Sequence, residues 1–254
     1  MLVDAHAHVE QYDDRLAEAL DQIAEHHILT VSVSMDVESY TRAHAIAQSC
    51  RYLIPTFGVH PWESHRYCNK LDEIEPYVRA TPIVGEAGLD FYWVEDKSLY
   101  PCQTAVFEFQ CALAGRLAKP MNLHTKGAEQ EVLEAIHKFT IVTPIIHWYS
   151  GPVGLIDSYL RAGSYFTIGV EVLNSVHIQE IAKLIPADRI LLETDNPGGY
   201  KWLTKQIGMP VIILEVLGKV SQLRGVSPES LESQLSRNWA DLTKDIKGMP
   251  TICG

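Results

Sequence analysis

A (β/α)₈ barrel with extra helices at its C-terminal end is the fold class this chain predicts. Three observations predict it: eight short apolar runs, helical spacing between them, and polar side chains gathered where the runs end. The runs are LVDAHAHV, ILTVSVSM, YLIPTFGVHP, PIVGEAGLDF, PMNLHT, TPIIHWY, SYFTIGV and RILLETDNP. Strands alternating with helices argue for a parallel sheet, and eight of them favour a closed barrel over an open doubly wound sheet. No Gly-x-Gly-x-x-Gly turn supports a dinucleotide fold.

The first run places Asp4, His6 and His8 at alternate positions, so a strand would turn all of them to one face. Two imidazoles on one face can share a metal ion. A His-x-His pair arises by chance roughly half a time in a chain with this histidine content, so alone it is weak evidence. Leu16, Leu20 and Ile23 follow at helical spacing, as do Val106, Phe109, Leu113 and Leu117 after the fourth run. Residues 174–184 and 208–224 read the same way. Beyond the eighth run, SPESLESQLSRNWADL offers helix starts at Ser227, ahead of Glu229, and at Ser230, ahead of Glu232.

No glycine, proline or serine tract divides the 254 residues, so a single domain over 1–254 is expected, with 46% apolar residues to fill its core. The 32 acidic against 21 basic residues give a net charge of -11, which disfavours a broad basic surface for nucleic acid. An anionic substrate must then find local cations, from a metal or from Lys97, Lys126 and Lys201. The N-terminus lacks a basic region followed by an apolar core, and no stretch approaches a membrane span. The expectation is a cytoplasmic protein with no membrane contact and no obligate protein partner. Cys50, Cys68, Cys102, Cys111 and Cys253 show no Cys-x-x-Cys pair, which suits reduced thiols, with Cys111 packed and Cys253 exposed.

The chemistry of such a barrel collects at the C-terminal ends of its strands. There the runs place His6 and His8, His60, Glu86, His124, His147 and Asp195. Any one of these histidines reads as a satisfied core residue; the set reads as a metal site. His26, His27, His44, His65, His137 and His177 lie in helical or connecting segments and carry no assigned role. Imidazole and carboxylate donors without thiolates suit Zn²⁺, Mn²⁺ or a similar divalent ion, and a shared carboxylate can hold two ions about 4 Å apart.

The motifs DAHAHV, GVHP, VGEAGLDFY, FEFQCALAGRLAKPMNLHT, IIHWYSG and LLETDNP resemble, in order, the signatures of the TatD-type metal-dependent hydrolases. That branch of the amidohydrolase superfamily often carries the name deoxyribonuclease, and SRNWADL resembles its C-terminal helix. The resemblance implies two divalent ions, Zn, Mn or Mg. His6, His8, Glu86 and Asp195 would hold one, and Glu86, His124 and His147 the other, with Glu86 as the bridge. Asp195 would also act as general base on the attacking water, which makes Asp195 and Glu86 the catalytic pair. His60 is implied in contact with substrate phosphate; its other reading is a hydrogen bond bracing the loop at Pro61. Glu193 and Asp4 are candidates to back a ligating imidazole. Asp90 and Tyr92 are read as ordering the loop after the fourth run.

Four positions depart from the family pattern. Lys126 stands where Arg is frequent, and a point charge cannot grip phosphate as a planar fork does. Trp148 and Tyr149 replace Cys-Phe, Asn196 replaces a small residue before Pro197, and an Arg-Asn-x-Pro element survives only as IGMP with Met209 and Pro210. Substrate recognition is therefore assigned to His60, Lys126, Trp148 and Tyr149. Trp62, Trp93, Trp148 and Trp202 all fall just after strands, with Phe91, Tyr92, Tyr149 and Tyr200 beside them. Such rings either stack nucleobases or form a hydrophobic cover over the barrel mouth.

The leading expectation is a two-metal phosphodiesterase acting on DNA or another phosphodiester. The second is an amidohydrolase or aminoacyl-ester deacylase using the same ions on a carbonyl. A third is a metal-stabilised scaffold without catalysis, against which stands a carboxylate base beside an open metal position.

Overall fold

Each of the eight apolar runs forms a strand: β1 (Val3–Ala7), β2 (Leu29–Val33), β3 (Leu53–Thr56), β4 (Val84–Gly88), β5 (Met121–His124), β6 (Pro144–Ile146), β7 (Tyr165–Ile168) and β8 (Ile190–Leu192). The structure, a computed structural model, describes residues 1–246 and 249. Cys253, expected at the surface, lies outside the described residues. Between and after the strands run α1 (Leu16–Glu25), α2 (Val37–Ala47), α3 (Leu71–Ala80), α4 (Tyr100–Leu117), α5 (Glu129–Lys138), α6 (Ile156–Arg161), α7 (Val176–Leu184), α8 (Gly198–Thr204), α9 (Ile213–Arg224) and α10 (Pro228–Thr243). Strand order follows sequence order, and the described pairings are parallel. Every residue of β1, β2 and β4 is buried, the polar Asp4, His6, Thr30, Ser32 and Glu86 among them. Among the described residues no helix is long and apolar enough to cross a membrane.

Contacts gather into two units that interleave in sequence, the first from Met1–Ser32, Arg42–Pro55 and the chain after Phe166, the second from Val33–Thr41 and Thr56–Tyr165. In the first unit β1 pairs with β2, Val3 opposite Leu29 and Ala7 opposite Ser32, and β7 with β8, Phe166 opposite Ile190. The last strand lies beside the first: His8 N donates to Asn196 O at 2.8 Å and Asp195 N to His6 O at 2.9 Å. The expected C-terminal helices follow. Ser227 caps α10 by accepting from Ser230 N at 3.2 Å, with Pro228 in the first turn where its missing N–H costs nothing. Leu231, Leu235, Trp239 and Leu242 form its buried stripe.

The second unit pairs β4 with β5 and β5 with β6, and Phe57 bridges to Val84. Here α4 turns inward a stripe that includes Gln103 and Gln110 beside Val106, Phe107 and Leu113, while Leu117, expected inside, is 36% exposed. The amides explain the shift. Gln110 accepts from Val59 N at 2.8 Å and donates to Val59 O at 3.2 Å, and Gln103 treats Asp90 alike at 2.9 and 3.1 Å. Each glutamine satisfies both backbone groups of one loop residue, so a polar side chain is cheap to bury there.

One expectation about cysteine is corrected. Cys68 and Cys102 form a disulfide across 34 residues of sequence, their Cα atoms 5.1 Å apart, because the loop after β3 and the first turn of α4 meet in space. Cys50 and Cys111 are free and buried.

The Asn238 amide on α10 donates to Ala187 O and Ile190 O, both at 2.8 Å, and so ties the C-terminal helix to the start of β8. Asn238→Ala leaves the carbonyls of Ala187 and the buried Ile190 without that donor and should cost about 1–3 kcal/mol in urea denaturation, with an unchanged far-ultraviolet spectrum.

Candidate metal centre

In the first unit, β1 presents His6 and the residue following its end, His8, ring edge to ring face at 5.2 Å. His6 Nε2 lies 3.6 Å and His8 Nε2 3.3 Å from Asp195 Oδ1. Asp195 follows β8 in the left-handed region at φ 51°, a conformation that Asp tolerates better than most residues. One donor atom from each of His6, His8 and Asp195 falls within 4.8 Å of the others.

Asp4 does not back an imidazole. Its Oδ1 accepts from His6 N at 3.3 Å and Thr194 N at 3.0 Å, and its Oδ2 from Thr194 Oγ1 at 2.6 Å, so it clamps β1 to the segment after β8. Burial pushes its carboxyl up to about 7 against the pull of those bonds. Glu193 is wholly buried beside Gly169, where a Cβ would lie 3.2 Å from its Oε1. The carboxylate behind His8 is instead Glu10, 3.9 Å from Nδ1, buried, and raised by that burial above the usual carboxylate range.

In the second unit Glu86, 2% exposed, gathers the histidines. Its Oε1 stands 2.9 Å from His124 Nδ1, 3.4 Å from His60 Nε2 and 3.7 Å from His147 Nε2. The other nitrogen of His124 lies 3.2 Å from Asp90 Oδ2. Burial alone would lower the pKa of His124, but the bonds and charges of Asp90 and Glu86 outweigh it and raise it to about 9. His60 accepts from Trp62 N at 3.2 Å through Nδ1, so its remaining proton sits on Nε2 and faces Glu86 as a donor. His60 therefore braces the loop after β3 through Trp62 N.

The other substrate candidates divide. Lys126 Nζ donates to Ser150 Oγ at 2.8 Å and sits 5.3 Å from the centre of the Tyr92 ring. Trp148 is half-buried with φ 38°, an uncommon conformation for a bulky residue, directly after His147. Tyr149 is corrected: it is 1% exposed and its hydroxyl donates to Pro152 O at 2.7 Å, so its ring is core rather than a contact surface.

These donors are carboxylate oxygens and imidazole nitrogens, buried or partly buried and without thiolates, a set that fits a divalent ion such as Zn²⁺ or Mn²⁺. The family model described as TatD related DNase matches residues 3–244. The chain belongs to the TatD-related DNase family. TatD-type proteins of this family are metal-dependent hydrolases, and so is this chain. It is 31% identical over 208 residues to a protein of Bacillus subtilis (strain 168) named an uncharacterized metal-dependent hydrolase, YabD, covering 78% of this chain and 80% of the relative. It is 33% identical over 150 residues to a protein of Edwardsiella piscicida named 3'-5' ssDNA/RNA exonuclease TatD, covering 56% and 57%. The crystal structure of YjjV, a TatD homologue from Escherichia coli K12, superposes with a TM-score of 0.85 at 20% identity, over 95% of this chain and 97% of that one. The fold is the (β/α)₈ barrel.

Two departures from the TatD pattern meet in this fold. Asn196, fully buried, donates to Met209 O at 3.0 Å, and a Cβ on Gly208 would lie 1.8 Å from Asn196 Oδ1. The amide after β8 thus fills the space that any side chain at position 208 would claim. Glu10 and the bond from Asp90 to His124 are what the sequence reading missed. Glu10 continues the alternation of Asp4, His6 and His8, and Asp90 stands four residues past Glu86; both signals were present.

Gly208→Ala should destabilise the protein by about 1–3 kcal/mol, because the new methyl group overlaps a bonded amide. In an Asn196→Ala background the same change should cost at least about 1 kcal/mol less, read from a double-mutant cycle of denaturation midpoints.

Proposed function

We propose that the protein is a phosphodiesterase of the deoxyribonuclease kind, cytoplasmic, using two divalent ions, Zn, Mn or Mg, against single-stranded DNA or a similar phosphodiester. His6, His8, Glu86 and Asp195 hold one ion and Glu86, His124 and His147 the other. The observation that carries the reading is Asp195, turned by its left-handed backbone to within 3.6 Å of both β1-derived imidazoles. The names of the relatives, exonuclease and metal-dependent hydrolase, support it. Bound ions supply polarisation of the phosphoryl group and acidify the attacking water.

The chain's own residues do the rest. Asp195 accepts the proton of the attacking water. His60 Nε2–H turns from Glu86 to a non-bridging phosphate oxygen when substrate binds, a role supported by Nδ1 accepting from Trp62 N. Lys126 adds a point charge for a neighbouring phosphate, steadied by Ser150.

Protein stripped of metal should leave short single-stranded DNA intact, and restored Mg²⁺, Mn²⁺ or Zn²⁺ should return cleavage. Asp195→Asn should lower kcat by about a hundredfold or more, as removal of a general base does, in a gel assay of labelled strands. Two ions bound tightly with neither single- nor double-stranded DNA cut would contradict the nuclease reading and favour aminoacyl esters or amides.

A further inference from the structure

Three large aromatic side chains of the second unit are turned outward: Trp62 is 47% exposed, Tyr92 61% and Trp93 47%. They do not stand there independently, because one buried carboxylate holds all of them. Asp90 is wholly buried; its Oδ2 accepts from Trp62 Nε1 at 2.8 Å, and its Oδ1 accepts from Tyr92 N at 3.0 Å and Trp93 N at 2.8 Å. The same Oδ2 faces His124 Nε2 at 3.2 Å. Gln103 fixes Asp90 in turn through both of its backbone groups.

A hydrophobic cover hides its rings from water. Tyr92 and Trp93 meet edge to face at 4.8 Å, and Trp62 meets His60 in the same way at 4.8 Å, yet the three side chains keep about half of their surface or more in solvent. The Lys126 ammonium sits 5.3 Å from the Tyr92 ring centre, and Phe91 N donates to Lys126 O at 2.9 Å, so the cation and the rings share one framework. Exposed π-faces with an ammonium beside them match a base and its phosphate, in a chain whose net charge of -11 offers little other attraction to a polyanion.

We propose that Trp62, Tyr92 and Trp93, with Lys126, form a stacking subsite for an unpaired nucleobase of the substrate strand, and that Asp90 is the positioning residue that registers this subsite to His124. This deepens the nuclease reading and rests on it. Stacking needs a base free of its partner, so the subsite favours single strands or frayed ends and tolerates any base identity.

The test is fluorescence anisotropy on metal-stripped full-length protein, with a labelled oligo-dT strand and an abasic strand of equal length and charge. Oligo-dT should bind at least about fivefold more tightly than the abasic strand, the lower end of what one stacked base contributes. Trp62→Ala should bring oligo-dT down to the abasic level. Tyr92→Ala, at a side chain mostly in solvent, should weaken oligo-dT in the same direction and guards against a folding defect at Trp62. Lys126→Gln should weaken both strands alike. Equal binding of the two strands by the wild-type protein, or undiminished preference in both aromatic variants, would overturn the subsite. Cleavage assays with metal restored separate the two levels of the account: if both strands are cut with equal kcat/KM, the nuclease reading stands and the subsite falls, and if neither is cut, both fall.

Discussion

Burying a carboxylate at the end of a barrel strand is the constraint on which this structure turns. Glu86 is 2% exposed, and a charge so placed is tolerable only when donors or cations surround it. The chain meets that demand with imidazoles delivered by neighbouring strands and loops, His124 from β5, His147 after β6 and His60 after β3. Those segments must then be held still. The two glutamines of α4 do so by binding the backbone of Val59 and Asp90, one residue before His60 and four after Glu86. The first unit solves the same problem with Asp4, which spends its carboxylate on Thr194 and the His6 backbone so that the segment carrying Asp195 keeps its place beside β1.

Around this centre the chain departs from the family pattern that its motifs resemble. The guanidinium fork of the family pattern is replaced by Lys126, a point charge steadied by a hydroxyl and set beside an aromatic ring. The basic element ahead of the penultimate helix is gone, and Asn196 occupies the space over Gly208.

The barrel was legible because eight short apolar-rich runs alternate with segments of helical spacing, and none of the eight was missed or invented. Ser227 was legible as a cap for the same local reason. What escaped depends on distance through space. Cys68 and Cys102 stand 34 residues apart with no motif to join them. Gln103 and Gln110 become core only through the loop backbone they satisfy, which no local pattern in the sequence announces. Glu10 lay in plain alternation with the ligands, but β1 ends at Ala7 and a tight helical turn carries the chain on, so the strand argument stopped short of it. Tyr149 looked like a contact surface from its place beside His147 and is sealed by its own hydroxyl bond.

The central claim is that buried carboxylates and imidazoles of this chain hold a pair of divalent ions. Isothermal titration of Mn²⁺ or Zn²⁺ into the metal-stripped full-length protein, with bound metal counted by mass spectrometry, tests it most directly. The account predicts two ions per chain in the wild-type protein and loss of both tight sites in Glu86→Gln. A stoichiometry of one or none, or two tight sites undisturbed by that substitution, would contradict it.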